Sequence, residues 1–522
     1  MAGDSTRDIV DVAVIGFGPS GAAAAGLLAS YGLRTWVCDR STEVYDKPRA
    51  IAIDHEILRV FQQIGVIDEI ESDVEPFTPS EYFGVDGQLI KRMTMVAPPY
   101  PLGYTPSNVF TQPAVEKKLR EHVSRMPGVT AALGSEVIRI EQDEAGVELH
   151  VKDAEGDIRT VRARYVVACD GASSGIREAM GLELEDLAFD EPWLVIDVLA
   201  NDRGLAKLPK TSVQYCDPAR PSSFLIGPGR HRRWEISLKE GEDPQVAATP
   251  ERTWELLERW MTPSDGELWR QASYRFHALV AKQWRRGRVF IAGDAAHQQP
   301  PFLGQGMCQG IRDVANLSWK LRAVLRDNME ADAIESLLDS YGIERGEHVR
   351  QLTARIKDIG AVICERDPAK GRERDAHLLA QGGGAVVDTP RQDVIPRLQG
   401  GLLSPSLSPS AAVGTIFPQP WLEQGRERIR FDTLAGDGWW LVLDASFDGA
   451  SPGASAALRS LRTIRLGALR ETEDVAAAWF RRHGCGAAIV RPDRYVYGVA
   501  ATPAELAAQL ATLAACLGSP EV

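Results

Sequence analysis

The sequence predicts a mixed α/β fold with three parts: a parallel sheet built from separate chain segments, a mainly antiparallel sheet inserted into it, and a small C-terminal α/β module. Three stretches with the pattern of apolar strand, glycine turn and helix predict the parallel sheet. Polar and apolar residues alternate across residues 186–280, which predicts the antiparallel sheet. A Gly- and Pro-rich stretch within residues 381–410 separates the third part.

The first strand, helix and second strand come from the N-terminal segment. Residues 9–15 form a nearly continuous apolar run, as expected of a strand that is buried on both faces. An alanine-rich helix is predicted over residues 19–31, and Gly32 ends it. Residues 35–38 form the second strand, so the segment is a βαβ unit.

The turn between the first strand and the helix has the spacing G-x-G-x-x-G, in Gly16, Gly18 and Gly21. Gly16 permits a tight turn, Gly18 allows the backbone to approach a pyrophosphate, and Gly21 allows close packing of helix and strand. Asp39, at the end of the second strand, can accept hydrogen bonds from a ribose. The context predicts a dinucleotide site rather than an unrelated glycine turn. The motif does not decide between FAD and a nicotinamide dinucleotide.

Two later strands also run into glycine turns. Residues 164–169 lead into Asp170 and Gly171, and residues 288–292 lead into Gly293 and Asp294. The polar–apolar alternation of the inserted sheet is clearest in residues 193–198 and 233–238.

The remaining chain predicts helices, a linker and the C-terminal module. Residues 312–365 have a helical pattern, and the module has strands near residues 439–443 and 487–490, with a final helix over 503–517. The predicted domains are as follows: a nucleotide-binding domain over 1–75, 108–185 and 281–365; a sheet domain over 76–107 and 186–280; a linker over 366–410; and the module over 411–522.

Composition and charge narrow the class of protein. Hydrophobic residues make up 44% and charged residues 25% of the chain, which is ordinary for a soluble enzyme. The formal net charge of −13 argues against nucleic acid or an anionic membrane as the main partner. The polar N-terminus lacks the features of a secretion signal, so we expect a cytoplasmic protein. The seven cysteines form no C-x-x-C pair, which predicts reduced thiols and neither a zinc site nor a dithiol centre.

Two further motifs accompany the glycine turn. The first is D-G-x-x-S-x-x-R, from Asp170 to Arg177, and the second is Gly293-Asp294-Ala295-Ala296-His297 followed by Pro300 to Gly306. Together the motifs resemble those of the group A flavoprotein aromatic hydroxylases, the family of p-hydroxybenzoate and phenol hydroxylases, over roughly residues 9–350. The resemblance implies a segmented FAD-binding Rossmann-like domain with an inserted, mainly antiparallel substrate-binding sheet. The C-terminal module resembles the thioredoxin-like domain of phenol hydroxylases, without C-x-x-C.

The resemblance also implies which residues contact the cofactor. They are Gly16, Gly18, Gly21, Asp39 and Arg40 for the ADP half, and Arg49, Gln112, Asp170, Asp294, Pro301, Gly304, Gly306 and Met307 for the remainder. Asp170 and Arg177 belong to the motif that this family associates with both FAD and NAD(P)H, although an intramolecular ion pair is an alternative role for Arg177.

The implied chemistry is hydroxylation of a small phenol with NADH or NADPH and O2 through a C4a-hydroperoxyflavin. The segments 48–56, 189–195 and 304–308 resemble the 3-(3-hydroxyphenyl)propionate hydroxylase-like branch, and a resorcinol-like substrate also fits. A homodimer is plausible by the same resemblance. Two alternatives stay open: hydroxylation of a polycyclic polyketide or drug, and a non-catalytic flavin-binding interaction protein.

A base that deprotonates the phenol is expected in this chemistry. Asp54 is the candidate, since its spacing to Arg59 resembles that in phenol hydroxylase, and His55 lies beside it. The alternative role of Asp54 is to cap the following helix. His297 has no ligand-type neighbours at metal-binding spacing, so no metal is expected. Four residues of the inserted sheet are candidates for binding the substrate: Tyr215, Tyr274, Phe276 and His277.

Overall fold

The structure is a computed structural model, and it describes residues 9–405, 410–447, 461–467 and 470–518. The predicted lack of a secretion signal concerns residues 1–8, which lie outside the described residues. Within the described ranges, no helix has both the length and the apolar character needed to cross a membrane.

The strands are spread over the whole chain. In chain order they are β1 (Val10–Ile15), β2 (Thr35–Asp39), β3 (Ala52–Asp54), β4 (Val74–Pro76), β5 (Ser80–Phe83), β6 (Leu89–Thr94), β7 (Ser107–Phe110), β8 (Val129–Leu133), β9 (Glu136–Gln142), β10 (Val147–Lys152), β11 (Ile158–Ala168), β12 (Leu184–Ala200), β13 (Ser212–Tyr215), β14 (Ser222–Ile226), β15 (His231–Ser237), β16 (Gly266–Ala281), β17 (Arg285–Arg286), β18 (Val289–Ile291), β19 (His297–Gln298), β20 (Asp388–Pro390), β21 (Trp421–Gln424), β22 (Glu427–Arg430), β23 (Trp440–Leu443), β24 (Arg462–Arg465), β25 (Ala487–Val490) and β26 (Val496–Ala500).

The α-helices lie between these strands and at the C-terminus. They are α1 (Pro19–Ser30), α2 (His55–Ile64), α3 (Ile67–Ile70), α4 (Gln112–Arg125), α5 (Gly175–Ala179), α6 (Asp202–Lys207), α7 (Pro244–Ala247), α8 (Pro250–Leu257), α9 (Gly306–Arg326), α10 (Ala331–Cys364), α11 (Pro368–Gln381), α12 (Phe431–Ala435), α13 (Val475–His483) and α14 (Pro503–Cys516). The mixed α/β class is therefore confirmed.

The first sheet brings the three strand–turn segments side by side. Its order is β17-β18-β11-β1-β2-β8, and β1 pairs in parallel with both β11 and β2. Strand β11 also pairs in parallel with β18, and β2 with β8, so the carboxyl ends of five strands meet at one edge. In open α/β sheets this edge is where ligands bind. Helices α1 and α9 pack against each other beside the sheet, and the four alanines at 22–25 of α1 are fully buried.

The second sheet has nine strands in the order β19-β16-β12-β15-β14-β13-β5-β6-β20 and is mainly antiparallel. Side chains alternate between its two faces. One face carries Ile196, Phe224 and Trp234, which form an apolar core with residues of α8 such as Leu257. The opposite face carries polar side chains and is covered by the rest of the molecule.

The predicted linker over residues 366–410 is wrong in its first half. This part contains α11, whose first turn is capped by Asp367, and β20, which pairs with β6 at the edge of the second sheet. The carboxylate of Asp375 on α11 is buried and accepts a hydrogen bond from the N–H of Val85 at 2.7 Å. The glycines at 382–384 end the helix, and they do not mark a free connection.

The C-terminal module has a four-stranded sheet in the order β24-β23-β25-β26. Strand β23 pairs in parallel with β24 and antiparallel with β25. A buried ion pair joins the module to α2: both Nε and Nη2 of Arg59 donate to the carboxylate of Asp432, at 2.7 and 2.6 Å. The module is thus fixed to the first domain through charged groups that are withdrawn from solvent.

Candidate active site

A cavity of about 990 Å³ is lined by residues of both large sheets. Almost all the predicted cofactor residues line it: Gly16, Gly18, Asp39, Arg40, Arg49, Gln112, Asp170, Asp294, Pro301, Gly304, Gly306 and Met307. The sheet residues Tyr274, Phe276 and His277 line the same cavity. The structure therefore brings residues from distant parts of the chain to one place.

Two glycines of the turn, Gly16 and Gly21, lie against other protein atoms, and Gly18 faces open space. Gly16 has a φ of +91°, and a Cβ at Gly21 would lie 1.8 Å from the carbonyl oxygen of Gly16. Gly21 therefore serves the packing of turn and helix and does not line the cavity. A Cβ at Gly18 would meet no protein atom within 4 Å, so nothing within the protein requires a glycine there. That open cradle fits the close approach of a pyrophosphate.

Arg120 on α4 is a cavity residue that sequence reasoning missed. Its Nη2 donates to Glu116 at 2.6 Å and lies 3.8 Å from the carboxylate of Asp39. Its Nε and Nη1 atoms are buried and have no hydrogen-bond partner in the described part of the chain. Buried donors of a guanidinium are normally satisfied, so these atoms fit the oxygens of a bound dinucleotide. With the open cradle at Gly18, this donor set fits FAD.

Gln112 and Arg233 hold the backbone around Arg49. The side-chain oxygen of Gln112 accepts hydrogen bonds from the N–H groups of Arg49 and Ala50, at 2.9 and 2.6 Å. From the second sheet, Arg233 donates to the carbonyl oxygens of Arg49 and Pro48, at 2.8 and 3.0 Å. The backbone at Arg49 is thus held by contacts from α4 and from the second sheet, and its side chain lines the cavity.

Asp170 and Arg177 organise the second motif in different ways. Asp170 accepts hydrogen bonds from Ser174 Oγ at 2.6 Å and the N–H of Ile176 at 3.2 Å, and burial raises the pKa of its carboxyl. Arg177 is buried and does not line the cavity. Its Nη1 donates to the carbonyl oxygens of Ala172 and Ala295, and its Nη2 lies 3.9 Å from Glu178. Its observed contacts are therefore intramolecular, and its role in binding NAD(P)H stays a prediction.

The third motif places Asp294 and Gly304 at the other side of the cavity. The Asp294 side chain is open to the cavity, and the surrounding protein raises the pKa of its carboxyl by desolvation. Gly304 has a φ of +63°, and a Cβ there would lie 2.8 Å from the Cβ of Ala52. His297 Nε2 contacts Asp313 Oδ2 at 2.7 Å, so its role in the described structure is to pair with that carboxylate.

Tyr215 was predicted to face the flavin, and the structure places it on the other face of its strand. Trp260 Nε1 donates to its hydroxyl at 3.0 Å, in the apolar core behind the sheet. The neighbouring Gln214 lines the cavity instead. Because side chains alternate along a strand, a difference of one residue in register reverses the face.

A polar row crosses the second sheet on its cavity face. In the cross-strand register Ser223 lies opposite Glu235, and Glu235 lies opposite Val195 on β12. Ser223 Oγ also donates to the side-chain oxygen of Gln214 on β13. All of these side chains line the cavity. They give one wall of the cavity hydrogen-bonding groups beside its apolar ones.

Glu235 stands out in this row. Only 6% of the residue is exposed, and within the described part of the chain its carboxyl has neither a hydrogen bond nor an ion pair. Burial raises the pKa of Glu235 to about 7, while Arg233 opposes the shift. Sequence reasoning assigned residues 233–238 to a strand and missed this group.

Arg391 is a second charged group without an ionic partner in the described residues. It is 7% exposed, donates to the carbonyl oxygen of Leu303 at 2.6 Å and stacks over the ring of Phe77 at 4.5 Å. It comes from the segment that was predicted to be a linker. Its guanidinium lines the large cavity and also a smaller neighbouring one.

Asp54 and His55 line the smaller pocket, of about 310 Å³, and not the large cavity. Asp54 Oδ1 accepts from the N–H groups of Glu56 and Ile57, so Asp54 is the helix cap that the alternative reading described. Its Oδ2 pairs with Arg312. Burial alone raises the pKa of Asp54, but Arg312 and His55 hold it below its usual value. Burial lowers the pKa of His55 to about 4. Both residues lie outside the large cavity, and both carboxylate oxygens of Asp54 already have partners, so the role of base stays a prediction.

Replacing Asp54 with asparagine is expected to affect stability more than catalysis. The buried Arg312 would lose one of its two carboxylate partners, while Glu56 Oε2 still accepts from its Nε at 2.5 Å. We expect a loss of about 1–3 kcal/mol in the free energy of unfolding, because a buried charge loses part of its compensation. Urea titration measures this loss. A fall in kcat of about 100-fold or more, without a loss of stability, would restore Asp54 as the base.

Two protein-family models match this chain. A family model described as an FAD binding domain matches residues 9–356, and one described as an HcaD C-terminal domain matches residues 414–516. A protein from Rhodococcus jostii named "Probable NADH-specific resorcinol 4-hydroxylase" is 37% identical, covering 96% of this chain and 94% of its own. A "3-(3-hydroxy-phenyl)propionate/3-hydroxycinnamic acid hydroxylase 2" from Burkholderia vietnamiensis is 33% identical, covering 94% and 93%.

Solved structures share the fold over the whole length of the chain. The flavin-dependent monooxygenase PieE, in complex with FAD and substrate, has a TM-score of 0.80 at 21% identity and covers 98% of this chain and 100% of its own. Aklavinone-11 hydroxylase, with FAD and aklavinone, has a TM-score of 0.78 at 24% identity and covers 98% and 99%. With the family match over 9–356 and the relatives above 30% identity, the chain belongs to the group A flavoprotein aromatic hydroxylases.

Proposed function

We propose that the protein is an FAD-dependent monooxygenase that hydroxylates a small, single-ring phenol with NADH and O2. The main support for this proposal is one cavity that extends from the glycine turn to the polar face of the second sheet. One end has the open cradle at Gly18 and the unpaired donors of Arg120. The other end has aromatic and hydrogen-bonding side chains that suit a phenol.

The residues supply binding and exclusion of water, and bound FAD supplies hydride acceptance from NADH and activation of dioxygen. Gly18 and Arg120 would hold the pyrophosphate half of FAD, Asp39 its ribose, and Asp294 its ribityl chain. Phe276 would pack on the substrate ring. The apolar wall that it shares with Trp193 and Phe302 keeps water from the reacting centre.

The size of the cavity supports a single ring over a polycyclic substrate. A pocket for one drug-sized ligand is roughly 300–1,000 Å³. The cavity of about 990 Å³ must accept a dinucleotide as well as the substrate. Relatives at 31–37% identity are named for resorcinol or 3-(3-hydroxyphenyl)propionate, which are single-ring phenols. The solved neighbours that carry larger ligands are less than 25% identical, so they support the fold alone.

The proposal is tested by flavin content and by NADH oxidation. Purified protein is expected to bind FAD and to oxidise NADH faster when resorcinol or 3-(3-hydroxyphenyl)propionate is present. A protein that only carries flavin would show no stimulation by any phenol. Stimulation by polycyclic phenols alone would contradict the single-ring assignment. Parallel assays with NADPH decide the nucleotide preference, for which the name of the Rhodococcus relative favours NADH.

The C-terminal module is proposed to be thioredoxin-like, with a structural role. The order β24-β23-β25-β26, with only β24 parallel to β23, supports this assignment. Its cysteines, Cys485 and Cys516, are free and lie at opposite ends of the β25–α14 segment. The module therefore offers no dithiol, and its buried ion pairs to the first domain support a role in packing.

A further inference from the structure

Glu235 is a buried carboxyl that has neither a hydrogen bond nor an ion pair with the residues that the structure describes. Its two neighbours across the sheet are Ser223 and Val195. Ser223 Oγ donates to Gln214 and so is directed away from Glu235. Burying a carboxyl without a hydrogen bond costs free energy. We therefore expect such a group where a bound ligand supplies the missing hydrogen bond. Glu235 lies on the sheet that forms one wall of the large cavity, so a ligand bound in that cavity can meet it.

The nearest guanidinium is already committed elsewhere. Arg233 Nε donates to Asp197 at 2.7 Å, and its other nitrogens donate to backbone carbonyls of the Arg49 segment. Asp197 in turn contacts His231 at 2.6 Å. Arg233 therefore acts on Glu235 through its field and not by a direct bond. The carboxyl of Glu235 stays available to accept a proton.

We propose that Glu235 is the general base that accepts the proton of the substrate's phenolic hydroxyl. The inference rests on the proposed hydroxylase function and names a catalytic residue for it. One glutamate oxygen takes the proton as the phenol O–H bond breaks, leaving a phenolate and a neutral glutamic acid. The aromatic ring of the phenolate is more nucleophilic than the ring of the neutral phenol.

The protonation state fits this role near neutral pH. Burial raises the pKa of Glu235 to about 7, and a base is most effective when its pKa lies near the working pH. The carboxylate is the active form, so the rate should rise with pH through about 7. Other charged or titratable groups line the cavity from β16 of the same sheet and from other parts of the chain, among them Arg49, Arg270, Tyr274, His277, Asp294 and Arg391. Of these, His277 carries an imidazole and lines the same cavity, so it needs its own control variant.

The test compares Glu235→Gln with a matched Glu267→Gln variant. Glu267 lies on β16 of the same sheet and is exposed, so its replacement is expected to leave the rate unchanged. For Glu235→Gln we expect the phenol-stimulated kcat to fall about 100- to 10,000-fold, the range for losing a general base. The rise of rate through about pH 7 should disappear in this variant and persist in His277→Asn.

A spectroscopic readout separates a base from a merely structural residue. A nitro-substituted resorcinol, whose phenolate is yellow, serves as the probe on the FAD-loaded protein. The wild type and Glu267→Gln should bind it as the phenolate near pH 7, and Glu235→Gln should bind it as the neutral phenol. Glu235→Asp should recover part of the phenolate signal. Because glutamine removes an unpaired buried charge, the variant is expected to fold at least as stably as the wild type.

The outcomes distinguish this inference from the proposed function. If the wild type shows no phenol-stimulated NADH oxidation, the proposed function is wrong, and the role of Glu235 as its general base is wrong as well. If the wild type is active and Glu235→Gln retains its rate, its pH profile and the phenolate signal, only the role of Glu235 is overturned.

Discussion

Replacing Gly21 with alanine is expected to abolish FAD binding and to destabilise the apoprotein. The new Cβ would lie 1.8 Å from the carbonyl oxygen of Gly16 and 2.9 Å from its carbonyl carbon. Both are backbone atoms, which cannot move aside as a flexible side chain can. The turn and the start of α1 would therefore have to separate, and this is the place where the helix N-terminus faces the phosphates. Flavin absorbance per protein and thermal unfolding without FAD measure the two effects.

Gly18→Ala is the matched control, because its constraint comes from the ligand alone. Gly18 has a φ of −64°, which alanine adopts freely, and its Cβ would meet no protein atom within 4 Å. The apoprotein should keep its stability to within about 0.5 kcal/mol, as for a substitution that disturbs no contact. Its affinity for FAD should fall at least about tenfold, a cost of about 1.4 kcal/mol. Wild-type flavin content in Gly21→Ala would contradict the description of the turn.

Glu344→Ala is expected to lower the free energy of unfolding by about 3–5 kcal/mol, the cost of leaving a buried charge uncompensated. Glu344 on α10 accepts hydrogen bonds from Arg491 Nη2 at 2.7 Å and from Lys320 Nζ at 2.9 Å. All three side chains are fully buried. Without the carboxylate, two buried cations would share only Asp493, which pairs with Arg491 at 2.7 Å. Since Arg491 precedes the last strand of the C-terminal module, its docking should weaken.

The same group predicts a dependence of stability on acid. Burial opposes ionisation of Glu344, but Arg491 and Lys320 lower its pKa to about 2. A carboxyl whose folded-state pKa is lowered stabilises the protein above its unfolded value, near 4.3, and this contribution is lost as the pH falls towards 2. Urea titrations between pH 7 and pH 3 should therefore show a smaller acid loss in Glu344→Ala than in the wild type.

Glu347→Ala is the control on the same helix. Glu347 is exposed and accepts a hydrogen bond from Gln351, so its loss should change stability by less than about 0.5 kcal/mol. Equal effects of the two substitutions would show that the buried network does not hold the module.

Local pattern was sufficient for the features that depend on neighbouring residues. The glycine turn, β1, α1 and α14 lie within a few residues of their predicted bounds. The cofactor residues were found because each follows a strand whose carboxyl end meets the same sheet edge. In contrast, Tyr215 and Gln214 are adjacent, and only the register of β13 against β14 decides which of them faces the cavity.

The missed residues depend on contacts between distant segments. Glu235 looks like an ordinary polar position of an alternating strand until the cavity face of the sheet is known. Arg391 lies in a segment whose glycines suggested a linker, and α11 and β20 carry it back to the cavity. The sequence around Asp54 is compatible with two roles, a base and a helix cap. The contact with Arg312, which lies on a helix far along the chain, is visible only in the structure and favours the cap.

The most direct test of the central claim follows oxygen from dioxygen into the product. FAD-loaded protein is incubated with NADH, isotope-labelled dioxygen and either resorcinol or 3-(3-hydroxyphenyl)propionate. The mass of the product is then measured by mass spectrometry. We predict a product that has gained one oxygen atom carrying the label, formed in proportion to the NADH consumed. A protein that fails to take up FAD, or one that oxidises NADH without labelling any phenol, would contradict the account.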